Sequence, residues 1–132
     1  MYQYLLIALG SSIGGVGRYW LSGVVATRIG ETFPWGTVAV NVSGCLVIGL
    51  FATLTAPEGR VFVPGEWRQF FMIGICGGYT TFSSFSLQTL TLALGGEWLA
   101  AGLNIAASVG LCLFAVWLGH AAALEINALR GL

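Results

Sequence analysis

The sequence contains no lysine and no aspartate, and its one histidine is His120. Its charges are five arginines (Arg18, Arg28, Arg60, Arg68, Arg130) and five glutamates (Glu31, Glu58, Glu66, Glu97, Glu125), 8% of 132 residues, with zero net charge. A soluble domain carries about 25% charged residues. Ten charges cannot coat a globule of this length, which excludes an ordinary soluble enzyme and a disordered tail. A nucleic-acid binder needs a basic surface, and zero net charge supplies none. There are only three cysteines, Cys45, Cys76 and Cys112, with no CxxC pair. An odd count inside apolar runs reads as thiols packed as small hydrophobes, and argues against redox or metal chemistry.

What remains is apolar: 57% of residues are hydrophobic and the mean hydropathy is +0.88. Between Met1 and Arg28 the only charge is Arg18, and residues 32–57, 69–96 and 98–124 have none. A membrane-spanning helix needs roughly 20 mostly apolar residues. Four spans fit, at about 3–26, 35–56, 67–95 and 98–124. The first lacks a basic segment before its apolar run, so it reads as a span rather than a cleaved signal peptide. The expected fold is an all-α, single-domain membrane protein over 1–132.

The connectors carry the turn chemistry: Gly30, Glu31 and Pro34; then Pro57, Gly59, Arg60 and Pro64; then Gly95, Gly96 and Glu97. Trp35, Trp67 and Trp98 each open a span, where a belt of interfacial aromatics belongs. Four spans put Arg60, Arg68 and Arg130 on one side, and Arg28, with Arg18 near a span end, on the other. So weak a bias suits a chain that inserts both ways. Twenty glycines include Gly10, Gly14 and Gly17 in span one, Gly44 and Gly49 in span two, and Gly102 and Gly110 flanking Ala106 in span four. Small residues let helix backbones approach in lipid. Packing within the chain accounts for most of them, and subunit contact stays open for the others.

Span three is the anomaly. Gly74, Gly77 and Gly78 precede Tyr79, Thr80 and Thr81, and then come Phe82, Ser83, Ser84, Phe85, Ser86 and Gln88. Paired glycines and β-branched threonines are poor helix formers. Their coincidence predicts a helix break near mid-membrane, which frees backbone groups that need protein, ion or water partners. The alternative is a kinked helix whose hydroxyls bond back to their own turn. Phe82 and Phe85, at i and i+3, share a face; ring edges are electropositive and can meet a small anion, although such pairs are commonly plain packing.

Asn41, mid-span, is either an interhelical hydrogen bond or an amide donor to an anion. Asn104 and Ser108, at i and i+4, read as helix-packing glue. Arg18 either snorkels to an interface or attracts anions at a pore mouth. His120 reads as interfacial. No span interior holds a carboxylate, which proton-coupled pumps need. A track of amides, hydroxyls and ring edges suits passive movement of an anion or neutral solute.

Taken together, Gly14-Gly-Val-Gly-Arg18-Tyr19, Gly36-Thr37 with Asn41 and Gly44, and Gly77-Gly-Tyr-Thr-Thr-Phe-Ser-Ser-Phe85 resemble the small fluoride channels of the Fluc (CrcB) family over nearly the whole chain. Val16 departs from the pattern, where a small side chain is common. The resemblance implies a fluoride-selective passive channel in the bacterial inner membrane that relieves fluoride toxicity. It implies no enzyme and no protein or nucleic-acid partner. It implies an antiparallel, dual-topology homodimer with two fluoride pathways. Phe82 and Phe85, contributed by different subunits, would meet the ion with ring edges, and Asn41 would donate a hydrogen bond. Thr81, Ser83 and Ser84 would form a polar track, and Arg18 would attract anions in the vestibule. The carbonyls of Gly77 and Thr80 from both subunits would hold one structural Na⁺. A fluoride/proton exchanger and a non-conducting scaffold subunit are the rival readings.

Overall fold

The computed structural model describes residues 1–129; Arg130, counted above among the charges of one side, lies outside the described residues. Helices make up nearly all of the described chain: α1 (Tyr2–Ile29), α2 (Trp35–Leu54), α3 (65–79), α4 (Phe82–Leu94) and α5 (Trp98–Ala128). Trp35–Leu54, Gly65–Leu94 and Trp98–Ala128 are long and apolar enough to cross a membrane. At 28 residues α1 spans about 42 Å, also sufficient. It is less apolar because it carries Arg18, five glycines and three serines. The chain is therefore a multi-pass membrane protein of four long helices, the third of them interrupted, and large apolar side chains such as Leu9, Val16, Leu94, Leu99 and Leu113 cover its outer faces.

The helix ends follow from local chemistry. Gly30 stops α1 at φ 97°, and Gly96 stops α4 at φ 81°, both in the left-handed region where a side chain is strained. At Gly96 the closure is complete: the Gly96 amide bonds Ala93 O at 3.0 Å and the Glu97 amide bonds Leu92 O at 2.9 Å, satisfying carbonyls that the helix end leaves free.

Two helix pairs hold the fold. In the first, α1 crosses α3 backbone to backbone. A Cβ on Gly10 would lie 2.9 Å from Gly74 Cα, and one on Gly78 would lie 2.6 Å from Ser11 O. In the second, α2 and α5 run parallel: Gly49 packs on Val116, Gly119 packs on Leu46 and Leu50, and Thr53 faces His120. Val40 and Asn104 are the largest side chains fully buried. The glycines of span four do something else. Gly102 and Gly110 have no neighbour within 4 Å of an added Cβ, and they and Ala106 are exposed, so this stripe does not pack within the chain.

The third span is interrupted as expected, and it carries one feature that was not foreseen. Phe70–Cys76 is a π-helix, the wider helical form usually limited to short bulges at functional sites. Within the expected Gly77–Thr81 stretch, the break falls on the threonine pair. Gly77 keeps helical angles (φ −65°, ψ −36°), whereas Thr80 (φ −78°, ψ 156°) and Thr81 (φ −150°, ψ 113°) are extended. Gly78 serves close approach to α1, and the β-branched pair carries the unwinding.

Candidate functional site

Unwinding Thr80 and Thr81 strands backbone polar groups at membrane depth, where each unsatisfied one is costly. Asn41 meets this need from α2. Its Oδ1 accepts from the Thr81 amide at 2.7 Å, and its Nδ2 donates to the Thr81 carbonyl at 2.9 Å. One side-chain amide thus does for Thr81 what a neighbouring strand does for a strand residue. The interhelical hydrogen bond expected of Asn41 is present. An amide nitrogen carries two N–H groups, and only one is committed, so a donor is left over.

Thr81 also starts α4. Its Oγ1 accepts from the Ser84 amide at 3.2 Å, capping the helix, and lies 3.2 Å from Ser83 Oγ and 3.1 Å from Ser84 Oγ. The three hydroxyls form one cluster at the N-terminus of α4, where the helix dipole favours negative charge. On the other side of the break, Thr80 ties itself to α3: its amide and its Oγ1 both donate to Cys76 O at 3.0 Å. The last carbonyls of α3 lack helical partners in turn. The Thr81 amide, which in a continuous helix would bond Gly77 O, is turned to Asn41 instead. Thr80 O receives a long contact of 3.4 Å from half-buried Arg18. Tyr79 is anchored by its hydroxyl, 2.8 Å from Ser43 Oγ on α2.

A groove of about 370 Å³ runs beside the break, with no charged residue in its lining. Of the residues singled out in the sequence, Asn41, Gly77, Thr80, Thr81, Phe82 and Phe85 line it. The Phe82 and Phe85 rings lie 5.1 Å apart, tilted by 54°. They differ in surroundings: Phe85 is 7% exposed and Phe82 75%. Ser83 and Ser84 stay outside the groove, within the hydroxyl cluster on Thr81, and Arg18 reaches the break from α1 through Thr80 O.

Residues that the sequence reading assigned to packing also border the site. Ser108 lines the groove, as do Cys45, Cys76 and Cys112. Ser108 also donates to Asn104 Oδ1 at 3.2 Å, and Asn104 Nδ2 donates to Thr89 Oγ1 at 2.9 Å, so the pair does fasten α5 to α4. The available signal was periodicity: Asn41 and Cys45, and Asn104, Ser108 and Cys112, each recur at four-residue spacing along one helix face. His120 is exposed near the end of α5, its Nδ1 2.8 Å from Thr53 Oγ1. Chemically, the site offers neutral donors, ring edges and the Gly77 carbonyl, which the Thr81 amide no longer bonds, and no carboxylate in its lining. It is suited to holding a small ion briefly without transferring a proton.

The model of the family described as CrcB-like protein, Camphor Resistance (CrcB), matches residues 5–120. A protein of Paramagnetospirillum magneticum named fluoride-specific ion channel FluC is 68% identical over 127 residues, covering 96% of this chain and 99% of its own length. Proteins of the same name from Rhodospirillum rubrum and Opitutus terrae are 63% and 60% identical, covering 94% and 99% of this chain and 96% and 99% of their own lengths. With a broken third span clamped by Asn41 and relatives matched almost end to end, the chain belongs to the CrcB family.

Proposed function

We propose that this protein is a fluoride-selective passive channel that lets F⁻ leave a bacterial cell across its inner membrane, and that it catalyses no reaction. The observation that carries the proposal is the uncharged groove at the break, which joins Asn41, Thr81, Phe82 and Phe85. Fluoride is small and strongly hydrated, so its dehydration must be offset by close donors. Asn41 has an uncommitted N–H for this, and the ring edges of Phe82 and Phe85 provide weak positive potential without a full charge. Thr81, Ser83 and Ser84 extend the donor track from the cap of α4. Binding that is adequate but weak permits release, as conduction requires. Arg18 raises the local anion concentration at the approach.

The working unit in this proposal is an antiparallel homodimer with two pathways. Phe82 is 75% exposed, and the Gly102, Ala106 and Gly110 stripe of α5 meets nothing within its own chain; both are available to a second copy. The carbonyls of Gly77 and Thr80 would hold a structural Na⁺ between the two copies. They are hard oxygen donors, and Gly77 O has lost its helical partner. Bound there, the cation would supply a fixed positive charge and is not transported. The exchanger reading is not favoured by the glutamates of the helices: Glu66 sits in the first turn of α3 and Glu125 near the end of α5, away from the groove.

The test is efflux from liposomes holding purified protein, with and without a K⁺ ionophore. Fluoride loss that requires the ionophore, with negligible chloride loss, is the expected result. Ionophore-independent, proton-linked loss would replace the channel with an exchanger, and no loss would leave a scaffold.

A further inference from the structure

Four of the five sulfur atoms in this chain converge on one place. Cys45, Cys76, Cys112 and Met72 all line the groove beside the break; the fifth sulfur belongs to Met1. Two of them are partners. Along the parallel α2–α5 pair an offset of 67 positions recurs between facing residues, seen at Gly49 with Val116 and at Thr53 with His120. The same offset sets Cys45 opposite Cys112, two helical turns before the Thr53–His120 contact. The two thiols border the same groove, one from each helix. Both are free thiols of intermediate exposure, reachable from the groove.

From this facing pair we infer a binding site for a soft monovalent cation, Cu(I) or Ag(I), held between Cys45 and Cys112. Thiol and thioether ligands select soft metals. No group of three or more His, Cys, Asp or Glu residues is placed to hold a metal among the described residues. The pair alone cannot complete a four- or six-ligand shell, whereas a linear, two-coordinate cation needs only two ligands. Charge selects the valence. One thiol loses its proton to water in the groove and binds as thiolate, and the other binds as neutral thiol. The balance is M⁺ + 2 RSH → M(SR)(HSR) + H⁺, with no change of oxidation state. The product is uncharged, as a low-dielectric setting requires. Cys76 and Met72 provide a soft wall along which the ion enters.

The site itself stands on the thiol pair. Its effect on transport rests on the proposed function, because the pair lies in the wall of the same groove as Asn41 and Phe85. The test is silver titration of the purified full chain in liposomes, in chloride-free fluoride medium where silver stays soluble. Wild type should take up about one Ag⁺ per chain and release about one proton. Cys45→Ser and Cys112→Ser should each weaken uptake by about 100-fold, and Cys76→Ser should retain it. Cys45→Ala serves as a second form should the serine variant assemble poorly. Absence of tight uptake by wild type, or unchanged affinity in the Cys45 and Cys112 variants, overturns the site. Fluoride efflux is read within each variant as the ratio without and with Ag⁺, and a fall of about tenfold is expected only where silver binds. Tight binding with unaltered efflux removes the site from the ion path. Tight binding by a protein that passes no fluoride even without metal refutes the channel reading and leaves the metal site standing.

Discussion

The two halves of the third span, α3 and α4, are built on opposite principles. α3 is rich in glycine and presses its backbone against α1, with Gly74 and Gly78 within touching distance of Gly10 and Ser11. α4 opens with hydroxyls, and its first turn is held by Thr81, Ser83 and Ser84. Two extended threonines and one asparagine join the halves. Contact area and close approach fix the position of α3, and directional hydrogen bonds fix the start of α4. The difference assigns separate tasks to residues that look alike in sequence: adjacent glycines pack, and adjacent threonines unwind.

The comparison can be broken hardest at its joint. Asn41→Ala strands the Thr81 amide and carbonyl together, and each buried unsatisfied group costs about 1–3 kcal/mol. Loss of most fluoride efflux and a clear drop in the thermal unfolding midpoint in detergent are expected. An Asn41→Ala protein of wild-type stability would show that the break does not depend on this clamp.

Next come the rings. Phe85→Ile and Phe82→Ile should both abolish most fluoride efflux in liposomes. Their stabilities should differ, because Phe85 is buried and Phe82 is three-quarters exposed. The Phe85 change should cost about 1 kcal/mol in unfolding measurements and the Phe82 change little. Undiminished efflux in both variants would retire the ring-edge mechanism.

The paired glycines give a sharper contrast at smaller amplitude. A Cβ on Gly78 would meet Ser11 O at 2.6 Å, whereas one on Gly77 would meet nothing closer than Met72 O at 3.7 Å. Gly78→Ala should destabilise by about 1–3 kcal/mol through overpacking. Gly77→Ala should lie within about 0.5 kcal/mol of wild type. Equal effects in denaturant titrations would contradict the α1–α3 crossing. Smallest is the cap. Thr81→Ala should cost about 1 kcal/mol, and Thr81→Ser should restore most of it, because only the hydroxyl accepts from Ser84. Rescue absent in thermal melts would mean that the threonine methyl, not its oxygen, orders α4.

Much of the fold was legible because hydrocarbon imposes simple rules. Charge-free runs separated by Gly, Pro and Glu give helices, and Gly30 and Gly96 end two of them for the local reason that a left-handed residue is needed. The site was legible in part. A glycine pair, a threonine pair and a hydroxyl run pointed to an interruption of span three, and Asn41 drew notice as an amide in an apolar run. The exact place of the break was not legible, because a glycine can either loosen a helix or admit a neighbour. Which happens depends on what lies opposite: Ser11 for Gly78, and nothing close for Gly77. The π-helix at Phe70–Cys76 has no composition of its own and left no signal.

Sequence by itself determined that this chain lives in a membrane and that, Arg18 and the span-edge Arg68 apart, its polar groups there are neutral, since those properties are sums over residues and need no partner. Tertiary structure decided which neutral groups meet. Asn41 finds Thr81 forty positions away, and Cys45 and Cys112 come to the wall of one groove. Both pairings depend on how far one helix slides along another, and that distance is set by close contacts elsewhere, such as Gly44 on Thr80 and Gly49 on Val116, rather than by either residue alone.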